Sequence, residues 1–147
     1  MLTQLLTAEV IRIEPTARDW RHAIELATAP LLAKGIINPS YVNALFSSHE
    51  KLGPYYVLGP GIAMPHARPE DGVNCLGLGL TVIKQGVNFG SDGNDPVYLL
   101  ITLAASDSNS HVETIAQLAE LFMNEADVSA IIAAETKDEI LRILARY

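Results

Sequence analysis

The residues with most chemical potential in this chain lie in Gly59-Pro60-Gly61-Ile62-Ala63-Met64-Pro65-His66-Ala67-Arg68-Pro69-Glu70. Pro60, Pro65 and Pro69 fix φ and supply no N–H, so the backbone around His66 is stiff and not helical throughout. Imidazole takes up and releases a proton or another electrophile near neutral pH. A guanidinium two residues on offers a fork of donors suited to phosphate oxygens. A rigidly presented imidazole beside such a cation suits the handling of a phosphoryl group. The same residues also fit a proline-rich surface loop with an incidental histidine, in which Arg68 pairs with Glu70 or Asp71.

A second histidine stands at a place that favours anions. Ser110-His111-Val112-Glu113 matches a capping box, with Ser110 as N-cap and Glu113 at N3, so His111 is expected in the first turn of a helix. That helix follows the apolar strand Val97–Ala105, and ligand sites in α/β sheets lie outside the carboxyl ends of strands. Helix N-termini present unpaired N–H groups and partial positive charge. The same field disfavours an imidazolium, so His111 is expected to be neutral and to donate a hydrogen bond. His22 reads as a surface residue of the first helix, and His49 as a residue near the end of the second. Cys75, at the start of an apolar strand, reads as a buried, inert thiol.

Positioning these residues falls to a mixture of strands and helices. Val10–Glu14 is β-branched and ends at Pro15, as a short strand does. Trp20, Ile24, Ala27 and Leu31 recur at helical spacing between Arg18 and Lys34, with Pro30 expected to kink or divide the segment and Gly35 to stop it. Asn38 and Pro39 suit the N-cap and first position of a second helix, with Tyr41, Ala44 and Leu45 inward and an end at Gly53-Pro54. Tyr55–Leu58 reads as a strand leading into the histidine loop. Cys75–Ile83 is a stronger strand, with Gly77, Gly79 and Thr81 on a face that another backbone approaches closely. Val97–Ala105 is apolar almost throughout, as for a central strand covered on both faces. Ile115, Leu118, Ala119 and Phe122 mark a following helix, Asp127 is a candidate cap for a short one, and Thr136-Lys137-Asp138-Glu139 opens the last, with Ile140, Leu141 and Leu144 inward. The pattern predicts an α/β fold in which a central mixed sheet of about five strands is flanked by helices.

The 147 residues fit one domain, 1–147, burying roughly two-thirds of its unfolded surface. With 49% hydrophobic and 18% charged residues the chain is a well-cored globular protein. A net charge of −7 without any Lys/Arg run argues against nucleic-acid binding. A single cysteine fits a reducing compartment. Neither a signal peptide nor a bilayer-spanning segment is read, and the expected location is cytoplasmic, with any membrane link running through a partner. There is no Cys pair or His-x-x-x-His for zinc, no Gly-x-Ser-x-Gly elbow and no Walker sequence. No metal and no cofactor is expected, although a histidine metal-binding module remains an alternative.

Gly61-Ile62-Ala63-Met64-Pro65-His66, followed by Ser110-His111 at a helix start, resembles the enzyme IIA proteins of the bacterial phosphoenolpyruvate-dependent sugar phosphotransferase system. The branch is the mannitol/fructose type. The longer run from Gly53-Pro54-Tyr55-Tyr56 to Pro69-Glu70 is most similar to the ascorbate-type and cryptic mannitol-type subgroup, and the resemblance spans essentially the whole chain. It implies the IIA sandwich of a mixed sheet flanked by helices. It further implies a phosphoryl carrier, with His66 accepting the group from phospho-HPr and passing it to an enzyme IIB component, and the membrane reached only through a IIC transporter. His111 would stabilise the phosphorylated state, with Ser110 and Arg68 at the phosphate. A regulatory phospho-switch in the same family is the alternative reading. One departure stands out: mannitol-type members carry an arginine where this chain has His49. Arg68, the cation nearest His66 in sequence, is expected to supply the charge instead. Substrate and oligomeric state are not legible.

Overall fold

The computed structural model describes residues 1–107 and 111–147. Five strands form one mixed sheet: β1 Ile11–Glu14, β2 Val57–Gly59, β3 Ile62–Ala63, β4 Gly77–Val87 and β5 Val97–Ala104. Their spatial order is β1-β4-β5-β3-β2. β4 and β5 are antiparallel to one another, and each takes a shorter parallel neighbour, β1 on one side and β3 on the other. β2 closes the sheet antiparallel to β3. The α-helices are α1 Trp20–Ala33, α2 Pro39–Leu52, α3 Val112–Met123, α4 Glu125–Ala133 and α5 Lys137–Leu144. The expected mixed sheet of about five strands is what the chain forms.

α1 is one continuous helix, neither divided nor stopped by Pro30. Its N-terminus is capped by Asp19, whose carboxylate accepts the His22 N–H at 2.8 Å. Pro30 has no N–H for the carbonyl four residues back, and that carbonyl, on Leu26, accepts instead from Arg12 at 3.3 Å. The helix lies close on the glycine face of β4. A Cβ on Gly79 would stand 3.4 Å from the Ala27 carbonyl oxygen of the helix, and one on Gly77 only 2.6 Å from Cγ2 of Ile36, in the turn after it. Residues of the opposite parity face α4: Lys84 Nζ donates to the Ile132 carbonyl at 3.0 Å. Leu78, Leu80, Val82, Leu99, Leu100 and Ile101 are therefore buried in a sheet covered on both faces.

Several local expectations are corrected. The strand predicted at Tyr55–Leu58 begins at Val57, with Tyr55 and Tyr56 preceding it in a turn, and the histidine loop contains a strand of its own, β3. Asn124, not Asp127, caps α4, accepting the Asp127 N–H at 3.1 Å. Asp127 is instead a buried acceptor, 2.9 Å from an Arg146 guanidinium nitrogen and bonded by the Tyr147 hydroxyl at 2.5 Å. Cys75 is exposed, not buried, and lies two residues before β4 starts. His111 occupies the N-cap position of α3, one place before the first turn. The proposed cap Ser110 lies outside the described residues.

Candidate active site

The loop carrying His66 is held from four directions, chiefly through its backbone. Met64 N–H donates to the Tyr56 carbonyl at 2.8 Å, and the Pro65 carbonyl accepts the Leu103 N–H of β5 at 3.0 Å. The Tyr41 hydroxyl, projecting from α2, accepts the Ala67 N–H at 2.9 Å and donates to the Leu103 carbonyl at 2.7 Å. Burial pushes the Tyr41 phenol up to about 12, so it stays protonated and keeps both bonds. The Tyr55 hydroxyl donates to the His66 carbonyl at 2.6 Å, and its ring meets the imidazole edge-to-face at 5.5 Å. Composition and spacing marked Tyr41 only as an inward residue and Tyr55 only as part of a strand. Their hydroxyls, acting across the fold, were missed.

His66 itself is half-buried. Its Nδ1 lies 2.8 Å from the Met64 carbonyl oxygen. A carbonyl only accepts, so Nδ1 carries the proton and Nε2 holds the lone pair. His111 has the same relation to the carbonyl of Asp107, at 3.0 Å. A His111 ring with a single N–H therefore places it on the Asp107 carbonyl. Donation to a phosphoryl oxygen requires a second proton on Nε2 or a shift of the Nδ1–H bond, which corrects the expectation of a simple neutral donor.

His66, Arg68 and His111 border one cavity of about 260 Å³, together with Asp107, Pro69, Leu103 and Ala105. The three described candidates thus converge, although His66 and His111 are far apart in sequence. Ser110, the fourth, is outside the described residues. The apolar wall comes from Pro69, Leu103 and Ala105, whereas Ile62 turns to a separate groove with Phe122 and Ile132. His66 and Arg68 also border a second hollow of about 520 Å³ formed with Ser47, Ser48, Lys51, Tyr55 and Asp71. Arg68 is exposed and pairs with both nearby acids, at 3.2 Å to Asp71 and 3.6 Å to Glu70. Its guanidinium holds the Asp71 carboxyl below the usual carboxylate range.

His49 is not a charge near this site. It is buried, stacked on Trp20 at 3.7 Å, with Nδ1 2.6 Å from the Tyr56 hydroxyl. Burial pushes its imidazole below the ordinary histidine value, helped by Arg21 and opposed by a Phe89 backbone bond and Asp95.

A family model described as the phosphoenolpyruvate-dependent sugar phosphotransferase system, EIIA 2, matches residues 4–147. The chain belongs to that family. Among EIIA proteins, it is 39% identical over 137 residues to the ascorbate-specific PTS system EIIA component of Escherichia coli (strain K12), covering 92% of this chain and 89% of the relative. Its fold is similar to the solution structure of the mannitol-specific cryptic phosphotransferase enzyme IIA CmtB from Escherichia coli, with TM-score 0.92, 38% identity and 99% of each chain covered. It is also similar to a chain in the complex of enzyme IIA and phosphorylated enzyme IIB for mannitol from Escherichia coli, with TM-score 0.82 and 32% identity over 97% of this chain and 100% of that one. The mixed sheet flanked by helices is thus the mannitol-type IIA sandwich. Among the described residues, no helix of this EIIA chain is long and apolar enough to cross a membrane.

Proposed function

We propose that the chain, as a single EIIA domain over 1–147, carries a phosphoryl group on His66 from phospho-HPr to an enzyme IIB component, in the cytoplasm. The observation that carries this reading is the Nδ1–H bond of His66 to the Met64 carbonyl, on a ring that borders the cavity shared with His111 and Arg68. Attack by the Nε2 lone pair forms the new N–P bond as the donor's P–N bond breaks. The proton stays on Nδ1, so the product is a phosphorylated imidazolium held by the Met64 carbonyl. Transfer onward breaks the N–P bond as the acceptor's bond to phosphorus forms, and returns the neutral imidazole without moving a proton at His66. Such a transition state needs positioning and charge stabilisation more than covalent help. Arg68 supplies the cation, His111 donates to a phosphoryl oxygen once its Nε2 carries a proton or its Nδ1–H leaves the Asp107 carbonyl, and Ser110 adjoins His111 in sequence.

The likeness to ascorbate-specific and cryptic mannitol-specific proteins supports a role in uptake of ascorbate or a mannitol-like substrate, the membrane being reached through the IIC transporter. Support for IIB as acceptor comes from the likeness to the IIA chain of a IIA–IIB complex. With phosphoenolpyruvate, enzyme I and HPr, wild-type protein is expected to be labelled and His66→Ala to remain unlabelled. Full labelling of His66→Ala would remove His66 from the role. Passage of the label to a IIB cysteine is the result that separates a carrier from a regulatory switch.

A further inference from the structure

Two carboxylates already engage the Arg68 guanidinium. The side chain bonds Asp71 twice, at 3.3 Å from Nε to Oδ2 and 3.2 Å from a terminal nitrogen to Oδ1. The two partners are anchored differently. Arg68 is a long side chain with 76% of its surface exposed, against 21% for Asp71. Asp71 keeps two further bonds that do not involve the guanidinium: Oδ2 accepts the Arg68 backbone N–H at 3.0 Å, and the Asp71 carbonyl accepts the Ser40 hydroxyl at 2.8 Å. The carboxylate therefore stays in place when the guanidinium leaves. Both residues border the 520 Å³ hollow beside His66, and Arg68 alone of the two also borders the cavity with His111.

We propose that Asp71 is a positioning residue that sets how tightly the phosphoryl group is held, by competing with it for Arg68. The proposal rests on the reading of Arg68 as the cation that serves the phosphoryl group. In the resting protein the guanidinium sits on Asp71. A phosphoryl dianion on Nε2 draws it away, and the carboxylate left behind remains on the Arg68 N–H and in water. When the group is transferred, Asp71 takes the guanidinium back. Exposed ion pairs are weak and screened by salt, so this exchange is easy in both directions. A carrier benefits from such a competitor because an uncontested cation would hold the group too well to release it. Glu70, 3.6 Å from Nε and itself largely exposed, is a weaker competitor on the same guanidinium.

The test is Asp71→Asn, which removes the charge but keeps an oxygen to accept the Arg68 N–H. The full chain is equilibrated with a fixed mixture of HPr and phospho-HPr, and its phosphorylated fraction is read by 31P NMR. Asp71→Asn is expected to move this equilibrium roughly two- to five-fold toward the phosphorylated chain, more at low salt than at high salt. The same substitution in an Arg68→Gln background is expected to move it little. No shift, a shift the other way, or an equal shift in both backgrounds overturns the proposal. If Arg68→Gln alone lowers the phosphorylated fraction while Asp71→Asn leaves it unchanged, only this proposal falls. If Arg68→Gln leaves the fraction unchanged, the reading of Arg68 falls and this one falls with it. A thermal midpoint matching wild type shows that Asp71→Asn keeps its fold.

Discussion

The carbonyl oxygen of Met64 lies 2.8 Å from Nδ1 of His66 and so selects the tautomer of the imidazole two residues along. Phosphorylation is therefore expected at Nε2. Nitrogen-15 NMR of the resting protein should show Nδ1 protonated, and the phosphorylated protein should show phosphorus coupling to Nε2. Phosphorus bound to Nδ1 would contradict the geometry.

Tyr41 links α2, β5 and the histidine loop through one buried oxygen. Tyr41→Phe keeps the ring and strands the Ala67 N–H and the Leu103 carbonyl. Leaving buried polar groups unpaired costs about 1–3 kcal/mol, to be measured by urea denaturation. Phosphoryl transfer should slow as well, since the displaced segment carries His66. An unchanged unfolding midpoint would show that water replaces the hydroxyl.

Much of the site was legible because its members declare themselves locally. His66 and Arg68 sit in one stiff run with three prolines, and the strand-then-helix pattern pointed to His111. Neither tyrosine hydroxyl could be read in this way. Tyr41 reaches Ala67 across 26 residues and Leu103 across 62, and hydrophobic spacing records only that its ring faces inward. β3 is not legible because two residues carry no periodicity, and they are a strand only by pairing with β5 at Leu99 and Leu100 and with β2 at Val57 and Gly59. The expected cap of α4, Asp127, lies three residues past the actual one, Asn124, and both are good cap residues. What separates them is tertiary: Asp127 is turned toward Arg146 and Tyr147 at the end of the chain.

Gly72 should not tolerate a side chain. Its φ is +137°, and a Cβ there would come within 3.0 Å of the Tyr41 backbone nitrogen. Gly72→Ala is expected to destabilise the fold by about 1–3 kcal/mol, seen as a lower denaturation midpoint. Because Gly72 adjoins Asp71 and packs on the start of α2, the loss should be accompanied by slower phosphoryl transfer. A neutral or stabilised variant would show that this turn relaxes without strain.

His49 should make stability depend on pH in a defined direction. Its folded value lies below the unfolded value of about 6.5, so the folded state favours the neutral ring. The contribution is fully present above about pH 6.5 and is lost as pH falls from there through the folded value. Denaturation midpoints measured across that window should fall for wild type and fall less for His49→Gln, whose own midpoint is lower at neutral pH. Equal slopes for the two proteins would show that His49 does not titrate there.

The bond between the Pro65 carbonyl and Leu103 N–H, with the Tyr41 hydroxyl on the Leu103 carbonyl, also protects the molecule from its neighbours. β3 pairs with β5 at Leu99 and Leu100 only, so the rest of β5 has no partner strand on that flank. Open strand edges of this kind template pairing with other chains. The histidine loop and Tyr41 occupy those backbone groups at Leu103, so the segment that carries His66 also blocks the sheet from growing. Any variant that loosens it for faster chemistry would also raise the risk of self-association.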